Sequence, residues 1–359
     1  MQELDSLFRP EMVGLRRRML GMSQGDLVSV TGISQGMISK IEQGVKAPSE
    51  EHLEKLATAM DCRRTFFFQA EREYGPPMSA HPMYRKKASV GQKVLDKVIA
   101  ELSVRLGHVR VLLNAVDFSP ELPLPQYDSD EYAGQIEEVA AMVRRAWYVP
   151  RGPIRSLMDF VERAGILVVH SDMEAAHIDG ASYQVAGMPP VIFLNRSLSA
   201  DRLRFSLAHE LGHIVLHRYP SPEMEQQANE FAAAFLMPRE DIAAELKGIT
   251  LAKAAQLKPY WKVSMGALIV RAKTLGKVDD GSYAYLWRQM AMHGYRIREP
   301  ASLDFAPEQP SVAPALLANL TENMGYDRQD IEQALHLSFD EIEKLYGLKP
   351  PSSVLRRVK

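Results

Sequence analysis

The sequence predicts an α+β protein that is mostly helical and carries one small sheet. Three observations favour this fold class. Short helical segments separated by glycines fill about the first 70 residues, two histidines lie one helical turn apart near the middle of the chain, and short runs of β-branched residues precede them. Helical spacing of apolar residues then continues after Pro238. We therefore expect helical bundles and a small sheet beside the helix that bears both histidines.

Composition and charge exclude several classes of protein. With 359 residues the chain is long enough for two or three domains, and its 46% hydrophobic and 25% charged residues are typical of soluble globular proteins. A net charge of −2 gives no overall attraction to nucleic acid or anionic membranes. Cys62 is the only cysteine, which excludes an internal disulfide and a cysteine-rich zinc site. The start lacks a signal-peptide core and no window approaches 18 apolar residues, so we expect a cytoplasmic protein without a membrane partner.

The first four helices are predicted from their apolar stripes and from the residues that begin and end them. Pro10 begins the first helix and Pro48-Ser49 the fourth, while Ser23 and Ser34 are N-caps of the second and third. Glycines suited to a helix end follow the first three: Gly21, Gly32 and Gly44. Only about three residues separate the second and third helices, which predicts a helix-turn-helix.

This N-terminal segment resembles the phage-repressor-like XRE family of DNA-binding domains, and we expect the domain to span residues 1–72. The residues that carry the resemblance are Leu15-Arg16, Ser23-Gln24, Leu27, Gly32-Ile33-Ser34, Ile38-Ser39, Ile41-Glu42, Gly44 and Pro48. The resemblance implies a five-helix bundle that binds a double-stranded DNA operator as a homodimer, with its third helix in the major groove.

The same resemblance, together with solvent-facing positions, predicts which side chains contact DNA. Gln35 and Ser39 are expected at base edges. Phosphate contacts are expected from Gln24, Ser34, Lys40 and Arg16, with Arg17 as an alternative to Arg16. Gly25 and Gly36 lie in the first turns of the second and third helices, where each costs up to about 1 kcal/mol relative to alanine. Either the backbone at Gly36 approaches DNA closely or the third helix is a weaker, less specific reader.

His209 and His213 lie in the segment HELGH, four residues apart on a predicted helix. Residues at this spacing share one helix face with about 5–6 Å between their Cβ atoms, so two imidazoles can hold one metal ion. Glu210 lies beside that ion, and this is the zinc-peptidase pattern in which the glutamate acts as general base on water. The alternative is a pair of core histidines hydrogen-bonded to backbone. Apolar residues at helical spacing on both sides favour the metal site, since buried histidines need partners.

Glu225 is the predicted third ligand. It lies three residues before Ala228, on the apolar edge of a helix that Pro238 ends, and a carboxylate directed at a core needs a cation or a metal. The alternative is an ordinary glutamate near a helix N-terminus. Glu230, on the opposite and solvated side, is the weaker candidate ligand. His217 lies about 12 Å from His209 along a continuous helix, too far to share one ion, so we expect it at the helix C-terminus or behind the ligands.

The histidine segment also resembles the ImmA/IrrE family of metallopeptidases. RFSLAHELGHIVLH at 204–217 is followed by ExxAN-x-FA and LMP, and the resemblance extends upstream through Trp147, Gly152-Pro153-Ile154, Asp179-Gly180 and Pro190 to Asn195. It implies a zinc peptidase that cleaves or antagonises a repressor-type DNA-binding protein. Its Zn2+ would be held by His209, His213 and Glu225. Glu210 would take a proton from the attacking water. Tyr183 and His177 are candidates for the side chain that assists at the oxyanion.

Composition and periodicity divide the rest of the chain. We expect a linker at 73–89 that includes Arg85-Lys86-Lys87, a helical connector at 90–150, a peptidase core at 151–245 and a helical C-terminal region at 246–359. A long helix from Val90 to Val116 is a candidate for dimer contact or domain spacing. Strands are predicted at Ile166 to Val169, at Val185 and at Val191 to Leu194. An edge of this sheet is suited to binding an extended peptide as an added strand.

These features together predict a DNA-binding transcriptional regulator with a zinc-dependent endopeptidase domain. Its expected partners are operator DNA and a repressor or other protein substrate. The alternative is a non-catalytic, zinc-containing regulator of the repressor or antitoxin-like kind, whose zinc domain binds a partner without turnover. Three protein ligands beside a free glutamate leave a fourth position open on the metal, which favours catalysis.

Overall fold

The structure, a computed structural model, describes residues 7–69, 74–75, 77, 91–116, 118–132 and 134–347. Its chain forms two compact units. The first comprises Met1–Pro76, Lys87–Phe118 and Val312–Lys359, and the second comprises Pro77–Lys86 and Ser119–Ser311. Along the chain, the second unit is thus inserted into the first. Most of the predicted linker, with its cluster Arg85-Lys86-Lys87, lies outside the described residues.

Four α-helices begin the first unit: α1 (Pro10–Met19), α2 (Gln24–Thr31), α3 (Gln35–Glu42) and α4 (Glu50–Ala59). A short 3-10 helix over Arg64–Phe68 follows as the fifth helical element. Ser23, Ser34 and Ser49 each accept a hydrogen bond from a backbone N–H in the first turn of the helix that follows. Gly32 ends α2 in the left-handed conformation, with a φ of 69°. The helix-turn-helix predicted from these signals is confirmed.

A long helix, α5 (Gln92–Leu113), follows in the same unit. It confirms the helix predicted from Val90 to Val116, with shorter bounds. Its apolar residues, including Val98, Leu102 and Leu106, are buried, and α5 packs on α1. The apolar face that we interpreted as a spacer or dimer surface is therefore part of the core of this unit. Among the described residues, no helix has the length and apolar content needed to cross a membrane.

The helices of the second unit are α6 (Ile136–Ala146), α7 (Leu157–Arg163), α8 (Ala200–Leu216), α9 (Met224–Leu236), α10 (Arg239–Ile242), α11 (Leu251–Trp261), α12 (Met265–Thr274) and α13 (Asp280–Met292). The helix α8 contains both histidines of the HELGH segment. It packs on α9 through a core that includes Leu207 and Leu211, which are 1% and 0% exposed. Pro238 follows α9 and ends it, as its sequence predicted.

Three strands form the sheet of the second unit: β1 (Leu167–Ser171), β2 (Gly180–Tyr183) and β3 (Val191–Asn195). The strand order is β1-β3-β2, with β1 parallel and β2 antiparallel to β3. The expected small sheet beside the histidine helix is confirmed, because β2 and β3 both pack on α8. The strand predicted at Val185 is wrong, since the strand lies at 180–183. Gly180 and Ala181 have weak strand propensity, so local preference does not explain β2. The strand forms because it pairs with β3 and packs on α8.

Two buried cations fix the N-terminal half of α8. Lys258 donates a hydrogen bond to the carboxylate of Asp201 in the first turn of α8. Arg204, one turn later, forms an ion pair with Glu308. Both cations are 2% exposed, and a buried cation is stable only when an anion lies beside it. These two pairs therefore hold the helix that carries the candidate metal ligands.

After Ser311 the chain returns to the first unit as α14 (Val312–Glu322), α15 (Arg328–Leu335) and α16 (Phe339–Tyr346). Both α14 and α15 pack on α5. The turn between α15 and α16 meets the segment after α4, where Leu337 forms an isolated antiparallel bridge with Cys62. The C-terminal region is helical over the described residues, as predicted, and its last three helices belong to the same unit as the N-terminal helix-turn-helix.

Candidate metal centre and DNA-binding surface

Three side chains from α8 and α9 converge on one point. His209 and His213 lie one turn apart on α8, and Glu225 lies in the first turn of α9. The Nε2 atoms of the two histidines are 3.0 Å apart. Oε1 of Glu225 lies 3.2 Å from Nε2 of His213, and Oε2 lies 3.8 Å from Nε2 of His209. Within the described parts of the chain, this is the one group of three or more potential metal-binding side chains, with all ligand atoms within 4.8 Å.

The three ligand atoms fit a tetrahedral metal ion. Bonds of about 2.1 Å in a tetrahedral site separate neighbouring ligand atoms by about 3.4 Å. The two nitrogens are 3.0 Å apart, and the nearest Glu225 oxygens lie 3.2 Å (Oε1) from His213 and 3.8 Å (Oε2) from His209, so the separations lie on both sides of that value. All three side chains direct electron pairs at the same point, and these electron pairs repel one another in a largely buried place. A cation bound among them would remove this repulsion. His213, which is 1% exposed, has the least access to water that would compensate it.

Asn229 orients His209. The side-chain amide of Asn229 donates a hydrogen bond of 2.8 Å to the backbone oxygen of Glu225, one turn earlier on α9. The side-chain oxygen of Asn229 therefore faces Nδ1 of His209, at 3.1 Å. This contact places the imidazole proton on Nδ1 and leaves the lone pair of Nε2 directed at the other ligands. Burial lowers the pKa of His209, which keeps the ring neutral at neutral pH.

Two further side chains orient His213. Its Nδ1 lies 3.1 Å from Nδ1 of His217, and Nε2 of His217 lies 2.9 Å from Oε1 of Gln227. A carboxamide oxygen only accepts hydrogen bonds, so His217 carries its proton on Nε2, and its Nδ1 accepts the proton on Nδ1 of His213. Burial lowers the pKa of His217 to about 4, so this ring is neutral at neutral pH. Nε2 of His213 is then unprotonated where it faces Glu225 and His209.

His217 itself lies behind the ligands, as we expected. It is the C-cap residue of α8 and contacts His213 with its ring. It does not belong to the ligand group.

Glu210 lies on α8 next to His209 and is 2% exposed. Its Oε2 atom is buried and has no hydrogen-bond partner among the described residues. A buried carboxylate oxygen without a partner is costly unless water or a bound molecule supplies one. This oxygen is therefore available to accept a proton from a molecule bound beside the ligand group.

Two glycines bring the elements of this site together. A Cβ atom at Gly212 would lie 3.3 Å from the backbone of Ala228, so glycine allows α9 to approach α8 and Glu225 to meet both histidines. A Cβ atom at Gly180 would lie 2.9 Å from Cγ of Glu210. The absence of a side chain at Gly180 therefore lets β2 pass directly beside Glu210.

The other side chains considered for this site have different neighbours. Glu230 lies near Glu137, and burial followed by the charge of Glu137 raises its pKa. Tyr183 ends β2, where its ring packs edge-on against Phe193 with centroids 6.0 Å apart. His177 is exposed and has a left-handed backbone, with a φ of 52°. Neither Glu230 nor His177 belongs to the ligand group found among the described residues.

The side chains predicted to contact DNA differ in their exposure. Three of them are exposed at the start and along the outer face of α3: Ser34, Gln35 and Lys40. Ser39 is half-buried and accepts a hydrogen bond of 3.3 Å from Gln43. A Cβ atom at Gly36 would meet no other atom within 4 Å, so the space beside Gly36 is open. The start of α3 thus has the exposure that a groove-binding helix requires.

The prediction that Arg16 contacts phosphate is wrong. Its side chain is 0% exposed and donates to the backbone oxygens of Met60 and Asp61, at distances between 2.7 and 3.0 Å. It also forms an ion pair with Glu341 of α16. The burial of Arg16 could have been inferred, because it follows the apolar residue Met12 by four positions and therefore shares its helix face.

Arg17 and Gln24 form hydrogen bonds within the helix-turn-helix. Arg17 forms two hydrogen bonds to the carboxylate of Glu42, at 2.6 and 3.0 Å. Gln24 donates to the same carboxylate at 2.9 Å. Both side chains are half-buried, so the phosphate contacts that we predicted for them would require these bonds to rearrange.

Asn229 and Gln227 were not predicted as site residues. The position of Asn229, one turn after Glu225, is a signal that its side chain lies on the same face of α9. Gln227 has no such signal, because it reaches the site only through His217 on another helix.

Comparison with known proteins finds family matches for the helix-turn-helix and for the segment that carries the metal ligands. Residues 15–67 match the helix-turn-helix family, and residues 161–273 match the IrrE N-terminal-like domain, a peptidase family called M78. No curated protein is similar enough to this chain to count as a relative. The first match contains α2 and α3, and the second contains the sheet, α8 and α9. The chain therefore carries a helix-turn-helix domain and an IrrE N-terminal-like peptidase-family domain in one polypeptide.

Proposed function

We propose that this protein is a DNA-binding regulator whose inserted unit is a zinc-dependent endopeptidase that cleaves a repressor or another partner protein. One observation carries the proposal. The donor atoms of His209, His213 and Glu225 meet within 4.8 Å. Oε2 of Glu210, which has no hydrogen-bond partner in the described part of the chain, is buried on the same helix as the two histidines. A structural metal site with a closed shell has no use for such a group.

Zinc is the metal that suits this donor set best. Two neutral imidazole nitrogens and one carboxylate oxygen are ligands that zinc accepts at catalytic sites, with the fourth position open. A metal ion held there would lower the pKa of water and polarise a peptide carbonyl. Asn229 and the pair His217–Gln227 would hold the two imidazoles in the tautomers that binding requires.

Glu210 is the proposed general base. Its Oε2 would take a proton from the attacking water and return it to the amide nitrogen of the leaving peptide. Gly180 at the start of β2 lies against Glu210, and β2 is an edge strand of the three-stranded sheet. A substrate strand that pairs with this edge would place its peptide bonds beside the base.

The helix-turn-helix supports double-stranded DNA as a partner. Gln35, Ser39 and Ser34 are proposed to contact an operator in double-stranded DNA together with Lys40, with Gln35 at a base edge. Because both domains share one chain, control of the protein's own gene or of a neighbouring gene is the simplest use. A homodimer on an inverted repeat and a cytoplasmic location stay predictions.

The proposal is tested with the full chain and a library of peptides digested from a cell proteome. Wild-type protein loaded with zinc is compared with Glu210→Gln, which keeps the size of the side chain and removes the base. We expect wild type to cut a defined set of peptides, identified by mass spectrometry, and the variant to bind zinc equally and cut none. Chelation of the metal should abolish cleavage by wild type.

Two results would contradict the proposal. Equal cleavage by Glu210→Gln would exclude this glutamate as the base. Full zinc occupancy without any cleavage by wild type would favour the non-catalytic regulator, in which the metal domain only binds a partner.

A further inference from the structure

The last two described helices repeat the layout of the N-terminal helix-turn-helix. In both pairs, an eight-residue helix is followed by a three-residue turn and a second eight-residue helix: 24–31, 32–34 and 35–42 in the first pair, and 328–335, 336–338 and 339–346 in the second. Ser23 with Asp26 forms a capping box at the start of α2, and Asp327 with Asp330 forms one at the start of α15.

The two turns also have the same conformation and the same kinds of residue. The first position is left-handed in both, with a φ of 69° at Gly32 and 59° at His336. The second position is a buried aliphatic residue, Ile33 or Leu337, at 4% and 0% exposure. The third is a serine that precedes the second helix, Ser34 or Ser338.

The cores of the two pairs correspond as well, at a constant offset along the chain. Leu27 and Ile38 of the first pair are 0% exposed, and their counterparts Ile331 and Ile342 are 1% and 0% exposed. Residues 327–347 are therefore a second helix-turn-helix by length, turn geometry and core.

This second helix-turn-helix lacks the surface that reads DNA. Gln35, the exposed first residue of α3, corresponds to Phe339, which is 1% exposed. Residues 327–347 contain six carboxylates but only two basic side chains, Arg328 and Lys344. A surface with this charge is repelled by the phosphate backbone, whose attraction supplies most of the affinity of DNA-binding proteins. The segment is therefore not suited to binding DNA.

The surface that it binds lies on the N-terminal helices of the same unit. Its turn is held by the backbone N–H of Arg63, which donates to the oxygen of His336 at 3.1 Å. Oγ of Ser338 donates to the carboxylate of Asp61 at 2.8 Å. Nδ1 of His336 lies 2.8 Å from Oγ1 of Thr65. The contacted segment 61–65 directly follows α4 of the DNA-reading domain.

Arg16 makes this contact obligatory. Its guanidinium is completely buried in the DNA-reading domain, and Glu341 of α16 is the carboxylate that neutralises it, with a bond of 2.7 Å to Oε1. The backbone oxygens of Met60 and Asp61 accept from Arg16 but carry no net charge. Without Glu341 the domain would contain an uncompensated buried charge, which is strongly destabilising.

We propose that residues 327–347 are a second helix-turn-helix that serves as the internal protein partner of the first. It binds the surface formed by Arg16 and residues 60–65, and the DNA-reading domain is complete only when this segment is bound. The surface is thereby occupied within one chain and is not available for pairing two copies of the protein. The inserted peptidase-family unit precedes this segment in the sequence. During synthesis that unit is therefore made before the segment that completes the DNA-reading domain.

The test compares Glu341→Gln with Glu343→Gln in the full chain. Both glutamates lie on α16, but Glu343 is exposed and provides a matched control. Amide hydrogen exchange is measured by mass spectrometry. We expect Glu341→Gln to accelerate exchange at least tenfold in 10–19 and 60–68, to leave 200–236 unchanged, and Glu343→Gln to behave as wild type throughout. Arg16→Met combined with Glu341→Leu, which removes both charges, should restore most of the protection.

Unchanged exchange in Glu341→Gln, or equal acceleration in both single variants, would overturn the proposal. A second measurement uses the duplex that wild-type protein enriches from a pool of random sequences. Glu341→Gln should bind this duplex at least tenfold more weakly, and Glu343→Gln should bind it as wild type does. Undiminished binding by Glu341→Gln would show that the reader is complete without its partner. This arm rests on the proposed DNA function: if wild type enriches no duplex, that function fails, while hydrogen exchange still decides the internal partnership.

Discussion

Gly180 and Glu210 approach so closely that a Cβ atom at position 180 would lie 2.9 Å from Cγ and 3.1 Å from Oε1 of Glu210. The contact joins the edge strand β2 to the proposed base on α8. It predicts that Gly180→Ala displaces the carboxylate while leaving the three ligands in place. We expect full zinc occupancy with peptide cleavage reduced on the order of 100-fold, the loss typical of a catalytic group moved by about 1 Å. Elemental analysis and turnover measurements on one preparation check this, and wild-type turnover in the variant would refute it.

Gly212 controls the distance between the two helices that supply metal ligands. A methyl group there would lie 3.3 Å from the backbone of Ala228, which cannot move without the rest of α9. Gly212→Ala should therefore shift Glu225 away from the histidines, lower stability by about 1–3 kcal/mol and weaken zinc binding about tenfold. Competition with a chromophoric chelator measures the affinity. Gly36→Ala, with open space at its Cβ atom, is the control and should bind zinc normally.

Gln227 should affect zinc affinity without touching the metal. Its oxygen holds the proton of His217 on Nε2, which in turn holds the proton of His213 on Nδ1. Gln227→Leu removes this acceptor and should weaken zinc binding by roughly 10–100-fold, as for other residues that orient metal ligands. Gln226→Leu alters the exposed neighbour on the same helix and should leave the affinity unchanged. Equal affinities in the two variants would exclude the proposed chain of hydrogen bonds.

Gln35 and Lys40 should differ in their effects on DNA binding. Gln35→Ala removes a proposed base contact and should weaken binding to the selected duplex about tenfold or more, with little effect on random DNA. Lys40→Ala removes a proposed phosphate contact, so it should weaken binding to both duplexes alike and reduce the salt dependence by about one unit of slope. Titrations at several salt concentrations measure both quantities. An equal loss on both duplexes for Gln35→Ala would contradict a role in base recognition.

His108 makes the stability of the first unit depend on pH. Burial lowers its pKa to about 3, although the backbone oxygen of Leu335 accepts from it at 2.9 Å. In the unfolded chain a histidine titrates near 6.5, so between these values the unfolded state binds the extra proton. The stability that neutral His108 contributes is therefore fully present above about pH 6.5. This contribution falls by up to about 1.4 kcal/mol per pH unit as the pH decreases toward 3.

Urea unfolding followed by circular dichroism from pH 4.5 to 7 checks this dependence. His108→Gln should make the decline shallower, because glutamine does not titrate. Part of the decline should persist, because burial also lowers the pKa of His217 and of His336. His293→Gln, which alters an exposed histidine, should unfold with the wild-type dependence. A decline of equal steepness in His108→Gln and wild type would show that other groups cause it.

The spacing of residue types along the sequence was sufficient to determine the helix-turn-helix and the convergence of the two histidines. Ser23, Ser34 and Ser49 cap the predicted helices because a cap bonds only to the turn that follows it. His209 and His213 share a face because the helix repeat alone places residues four apart together. Both relations involve neighbours in the chain, so a pattern of residue types is sufficient to find them.

Packing between distant segments decided the rest. No local signal shows that Arg16 is neutralised by Glu341, that Gln227 reaches His213 through His217, or that the last three helices complete the N-terminal unit. The strand β2 was missed because Gly180 is selected by the space beside Glu210 and not by strand propensity. In each case a side chain has its role only because folding brings it to a partner far away in the chain, and the energy of that contact depends on burial, which local sequence does not specify.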